Sequence, residues 1–196
     1  MSEVLPQEFF IKPAPELARD LLGCVLVHKT SEGTVSGIIV ETEAYLGDRD
    51  EASHAATKKI TKRNILHFAQ GGVSYIYFIY GMYHCMNVVA EPQGKAGCVL
   101  IRASEPFCGL EQMAILRKAD ISNYKNFCNG PGKLCLAMNL STQQNGQNLS
   151  NSSLFILNKK EKNFEISNGL RIGISKAVEL PLRFWIKDSL FVSRLS

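Results

Sequence analysis

Along Ile39-Val40-Glu41-Thr42-Glu43-Ala44-Tyr45, a two-residue period puts Glu41, Glu43 and Tyr45 on one face of a strand and Val40, Thr42 and Ala44 on the other. A carboxylate beside a phenol can line a pocket and handle protons, and the same pattern also suits a strand with one solvated face. His54, in the polar stretch that follows, is either a hydrogen-bond partner for such a pocket or a structural or exposed histidine. Arg102 interrupts the apolar run from Cys98 to Ala103, where an unpaired guanidinium is expensive to bury, so it is expected to face a carboxylate or a site. Asn87, among Met86, Val88 and Val89, needs partners for its amide or reads a ligand edge. Gly130-Pro131-Gly132-Lys133 offers backbone N–H groups near a helix start, a perch for phosphate, although it lacks the Walker A pattern.

A second feature is electrostatic. No acidic residue occurs between positions 52 and 90, while Lys58, Lys59, Lys62 and Arg63 precede Tyr75, Tyr77, Tyr80 and Tyr83. Cations neutralise phosphates and aromatic faces stack on bases, which is the profile of a nucleic-acid surface; the alternative is a solvated loop beside a tyrosine-rich strand. Alternation puts Tyr75 and Tyr77 on one face, and Tyr80 falls beside Gly81 at a hairpin tip, where an aromatic ring can wedge between base steps.

The elements that would carry these residues follow from period and punctuation. Residues 13–22 form a short helix, with proline at its start and Gly23 past its end. From Cys24 the pattern changes to a hairpin with its turn at Ser31-Glu32-Gly33, and the segments from Val73 to Ala90 and from Gly97 to Ala103 supply further antiparallel strands. Helices are expected over 106–119 and near 130–138, and short strands or turns over 154–158, 169–177 and 182–188. The Asn/Ser-rich stretch 141–153 is a loop. The fold class is mixed α/β (α+β), with flanking helices around an antiparallel sheet.

The 196 residues suit one domain, 1–196 with a core over about 9–190, and 45% hydrophobic against 20% charged residues exclude collagen, coiled coil and wholesale disorder. A net charge of +4 mildly favours a polyanion. The N-terminus lacks the features of a secretory or transit signal, and Ser74, Gly81, His84 and Asn87 break the best membrane candidate, so a cytoplasmic protein without membrane contact is expected. The six cysteines contain no C-x-x-C pair and are read as reduced core thiols; no metal site is expected.

Taken in order, IVETEAYLG, DEASHA, TKRN, YIYFIYGMYHCMNV, VLIRASEP and NGPGKLC closely resemble the alkyladenine, or 3-methyladenine, DNA glycosylase family, over residues 9–185. The resemblance implies a compact domain around a curved antiparallel sheet. It implies an enzyme that flips alkylated purines such as 3-methyladenine and 7-methylguanine out of damaged double-stranded DNA and hydrolyses the N-glycosidic bond, initiating base excision repair without metal or organic cofactor. On matching positions, Glu43 activates water, Arg102 helps hold it, and backbone near residues 171–173 adds a contact. Tyr45, His54 and Tyr77 line the base pocket, Asn87 crowds the guanine amine, and Tyr80 fills the vacated stack. Lys133 and its neighbour Gly132 touch the DNA backbone, as Lys62 and Arg63 are also expected to do. The resemblance further implies a monomer whose product passes to abasic-site repair enzymes, nucleoid-associated in a bacterium. Residues 141–153 match the family poorly and receive no role.

The chemistry is consistent with one carboxylate. Cleavage builds positive charge on the sugar, which a fixed glutamate stabilises while accepting a proton from water. A 3- or 7-methylated purine already carries charge and leaves neutral, whereas ordinary glycosides need a second acid; hypoxanthine or ethenoadenine would need help at the base. No lysine stands out as an amine nucleophile, so no strand cleavage is expected. Two other readings are a noncatalytic nucleic-acid-binding module, and a small-molecule glycosidase pairing Glu41 with Glu43; parallel side chains two apart on a strand suit the latter poorly.

Overall fold

The computed structural model describes residues 3–57, 59–62, 64–158 and 163–193. Its framework is an antiparallel sheet of β1 (Val25–Thr30), β2 (Gly33–Tyr45), β3 (Ser74–Ile79), β4 (Tyr83–Val89), β5 (Cys98–Cys108), β6 (Leu154–Leu157), β7 (Ile166–Gly169) and β8 (Arg183–Ile186). The order is β3-β4-β5-β2-β1-β6, and β8 bridges β2 to β7.

β2 is the axis. One side pairs with β5 along its length; the other pairs first with β1, from Gly33 to Ile38, and then with β8, from Glu41 to Glu43. The ladder to β5 slips around Ile39, Glu41 and Thr42, leaving Val40 without an opposite number. Such a bulge bends the strand and increases its twist, so the sheet curls into a half-barrel. Residues 35–44 are buried on both faces, which excludes the solvated face that alternation alone allows.

Among the described residues three short α-helices cover the sheet: α1 (Ala14–Asp20), α2 (Leu110–Arg117) and α3 (Pro131–Ala137). Leu17, Leu21 and Leu22 from the α1 region meet Leu26, Ile39, Ile101 and Phe184 in the core. The Thr42 hydroxyl donates to the Ala18 carbonyl, tying α1 to the bulged region. α3 rests on β4 and β5 and packs beside α2.

Two boundaries differ from the sequence pattern. The helix expected from position 106 begins at Leu110, because Pro106 and Cys108 remain extended opposite Gly37 and Ser36, and the turn into the helix comes at Gly109, whose φ is 79°. The segment 169–177 is not a strand beyond Gly169: β7 precedes it, and the remainder is an irregular crossing loop. Residues 141–153 do form a loop. It covers the outer edge of β3, with Asn145 accepting the Ile76 N–H at 2.8 Å and Ser74 N donating to the Gln147 carbonyl at 2.9 Å. Amide-rich composition therefore serves to satisfy a sheet edge. Among the described residues no disulfide joins any of the six cysteines; five are buried and Cys108 is exposed, correcting the reading of all six as core thiols.

The β2–β5 junction leaves no room at Gly37, where an added Cβ would lie 2.9 Å from the Ser104 Cβ. Gly37→Ala is expected to lower stability by about 1–3 kcal/mol through overpacking, a fall of a few degrees or more in Tm measured by thermal denaturation.

Candidate active site

β2 and β5 place two acidic side chains and one guanidinium together inside the curl. Glu43 has no exposed surface. Its Oε1 accepts the Ile172 backbone N–H at 2.8 Å and lies 3.2 Å from Arg102 Nη1; its Oε2 accepts the Tyr45 hydroxyl at 2.9 Å. Arg102 Nε donates to Glu41 at 3.2 Å. Glu41 also accepts from Arg183 Nε at 2.7 Å and from the Ser193 N–H and hydroxyl at 2.6 and 2.8 Å. Such saturation removes Glu41 as a second acid, so the glycosidase pairing of Glu41 with Glu43 is excluded. Both carboxylates are compensated as buried charge requires.

The same network sets the protonation of its neighbours. Burial alone would lower the Arg102 pKa, but Glu43 and Glu41 more than reverse that and hold it charged. Burial and the Glu43 charge push the Tyr45 phenol well up, so it remains a donor. Behind it, Arg171 grips Asp50 through both terminal nitrogens, at 2.5 and 2.9 Å, donates to the Ala44 carbonyl at 3.0 Å, and covers the Tyr45 ring at 4.7 Å. Burial would raise the Asp50 pKa; the Arg171 hydrogen bonds and charge and backbone N–H groups outweigh it and hold the carboxyl below its ordinary value.

A cleft of about 460 Å³ opens above this cluster. That volume suits a nucleobase-sized ligand. Glu43 lies one layer beneath the lining, whereas its three partners Tyr45, Arg102 and Ile172 reach the surface of the cleft. β3 contributes Tyr75 and Tyr77, their ring centroids 5.3 Å apart. His54 packs 4.6 Å from Tyr77, and its Nδ1 is 2.9 Å from the Tyr75 hydroxyl. Asn87 on β4 lies opposite Tyr75, donates to its carbonyl at 3.0 Å and lines the cleft. Burial raises the Tyr77 phenol. Burial also raises the Cys85 thiol, against the opposing pull of Tyr77 and Arg102, so this cleft-lining sulfur is not a ready thiolate.

Tyr80 stands at the β3–β4 tip, 78% exposed, with Phe78 and Met82 also projecting. Tyr80 and Gly81 have φ of 53° and 68°, the positive values of the central pair of a primed β-turn, closed by the Met82 N–H on the Ile79 carbonyl at 3.3 Å within a three-residue loop between paired Ile79 and Tyr83. Gly132 lies against the Tyr83 ring, where an added Cβ would sit 3.0 Å from Cγ, so α3 approaches the hairpin closely. Lys133 donates to Asn129 Oδ1 at 2.8 Å and lines a second groove that shares Arg102, Pro131 and Ile172 with the main cleft. Lys62 is exposed on the loop after His54, away from the cleft lining. Lys58 and Arg63 lie outside the described residues.

Several members of the site escape pattern reading. Arg183 and Ser193 come from segments without a motif, and Asp50, although it opens DEASHA, receives no role there; the roles of all three depend on tertiary contacts. His67, beside Tyr75 at 4.5 Å, lines the cleft from a short turn at Ile65–Phe68. Lys176 reaches the rim. Among the described residues, no group of three or more His, Cys, Asp or Glu is arranged to hold a metal ion, and no helix is long and apolar enough to cross a membrane.

Burial, aided by His54, lowers the His67 pKa from its ordinary 6.5 to about 4. Between those values the unfolded chain binds a proton that the folded protein refuses, so stability falls as pH drops. Between pH 7 and 4.5, His67→Leu is expected to lose about 2–3 kcal/mol less than the parent, as measured by urea denaturation at each pH.

The methylpurine-DNA glycosylase (MPG) family model matches residues 8–190. A protein of Alkaliphilus oremlandii named "Putative 3-methyladenine DNA glycosylase" is 44% identical over 199 residues, covering 97% of this chain and 98% of its own. Proteins of the same name from Prosthecochloris aestuarii and Clostridium tetani are 44% and 43% identical, covering 97% of this chain and 91% and 98% of their own. With the curled sheet and buried glutamate already in place, a match of this extent means that the chain belongs to the methylpurine-DNA glycosylase family.

Proposed function

We propose that the protein is a monofunctional glycosylase that flips 3-methyladenine or 7-methylguanine from damaged duplex DNA and hydrolyses the N-glycosidic bond with water activated by Glu43. The observation that carries this reading is the placement of the Glu43 carboxylate, held by Ile172 N–H, Arg102 and the Tyr45 hydroxyl, directly beneath an aromatic cleft of nucleobase size.

Glu43 uses three of roughly four acceptor positions on the described groups, leaving capacity to take a hydrogen bond from water lodged among Tyr45, Arg102 and Ile172. As the purine departs, charge grows on the deoxyribose. The fixed carboxylate stabilises that charge and accepts the water proton. The alkylated base stacks among Tyr45, His54 and Tyr77, where a cation over aromatic rings gains about 0.5–2 kcal/mol beyond stacking. Asn87, its amide already engaged with β3, narrows the cleft against the guanine amine. Tyr80 fills the gap in the duplex, and Lys133, Gly132 and Lys62 meet the DNA backbone. Arg63 takes the same role by its motif. The enzyme acts as a monomer and hands its abasic product to repair enzymes. Lys176 on the rim is not the nucleophile in this scheme.

Glu43→Gln is expected to lower release of methylated purine from duplex DNA by about 10²–10⁴-fold in EDTA while lesion-DNA affinity stays within a few-fold. Release at the parental rate would remove Glu43 from the chemistry. Borohydride is expected to trap no covalent complex, since water rather than an amine attacks. A Tyr side chain at positive φ costs about 1–2 kcal/mol. Tyr80→Gly is therefore expected to raise Tm by a few degrees while lowering base release from duplex by roughly 10-fold.

A further inference from the structure

His67 is 1% exposed, and both of its ring nitrogens lack a hydrogen-bond partner among the described residues. Of the described cleft-lining side chains, it alone has buried polar atoms left in this condition. Its ring contacts are Tyr75 at 4.5 Å and His54 at 6.2 Å. Neither ring supplies it with a hydrogen bond; the Tyr75 hydroxyl and His54 Nδ1 engage each other instead. A buried imidazole stripped of water is normally paired, so an orphan in a ligand cleft marks a position whose partner arrives with the ligand.

Its location selects the part of the ligand concerned. Ring contacts run from Tyr77 to Tyr75 and on to His67, whereas the Glu43 cluster is joined to Tyr45, Arg102 and Ile172. We infer that His67 is a specificity-determining residue that hydrogen-bonds the polar edge of the everted purine remote from the sugar. The inference rests on the glycosylase reading above. A neutral imidazole has one donor and one acceptor nitrogen, and burial keeps His67 neutral near pH 7. It can therefore match the exocyclic group at purine C6 or the adjacent ring nitrogen, whichever polarity is presented. An empty duplex slot offers His67 nothing, so the interaction separates base recognition from backbone binding.

The test compares the parent with His67→Leu, His67→Met and His67→Gln. It measures single-turnover release of 3-methyladenine from methylated duplex, affinity for a duplex carrying an abasic-site analogue, and thermal stability. Replacing an unpaired buried imidazole by an apolar side chain should leave Tm equal or higher, while base release falls about 10-fold and abasic-duplex affinity stays within about two-fold. Glutamine, which can both donate and accept, should restore release to within about three-fold of the parent. Apolar variants releasing base at the parental rate would overturn the inference, as would loss of stability and abasic-duplex affinity together with rate in both of them. No release of methylated base by the parent would instead defeat the glycosylase reading itself.

Discussion

The structure is organised around the cost of placing two carboxylates in its interior. Neither Glu41 nor Glu43 has exposed surface, and an uncompensated buried charge would unfold a marginally stable domain. Compensation is gathered from distant parts of the chain: Arg102 from β5, Arg183 from β8, Ile172 from the crossing loop, and Ser193 beyond them. The bulge in β2 belongs to the same solution. By slipping the ladder around Glu41 and turning the strand, it allows β8 to join where β1 leaves, which brings Arg183 into reach. The curvature that makes a cleft and the charge balance that makes a fixed carboxylate share one cause.

The two acids are distinguished by their surroundings rather than their type. Glu41 is surrounded by donors and acts as an anchor for Arg102 and Arg183. Glu43 is held more lightly and lies under the cleft. Around it, the Tyr45 ring is clasped by Arg171, itself fixed by Asp50, so the aromatic wall is supported from behind by a further buried ion pair. At the tip of the β3–β4 hairpin the opposite condition holds: the Tyr80 side chain projects into solvent from a backbone turn of fixed shape.

Much of this is legible in the sequence. Local patterns carried α1, the first hairpin, the tyrosine strand and its turn, because period and punctuation are short-range properties. The pairing of Glu43 with Tyr45 and the need for a carboxylate near Arg102 followed from alternation and the expense of burying a guanidinium. What alternation could not tell was that β2 is covered on both faces, since that depends on β8 and the helices arriving from elsewhere. Pro106 resembled a helix start, yet the β2 ladder kept it extended, a tertiary override of a local signal. His67 carried no motif at all; only its burial without partners distinguishes it. The amide-rich segment 141–153 looked featureless because its function is to satisfy the backbone of β3, which composition does not encode.

The reach of the Glu41 cluster has a kinetic corollary. Residue 193 contacts residue 41 across 152 positions, so one of the largest loop closures among the described residues completes the hydrogen bonding of a buried glutamate. A ribosome making this chain in order delivers β2 and β5 well before Ser193. Until Ser193 emerges, Glu41 has Arg102 within the sheet but lacks two of its donors, so its full set of hydrogen bonds closes only after both strands are made.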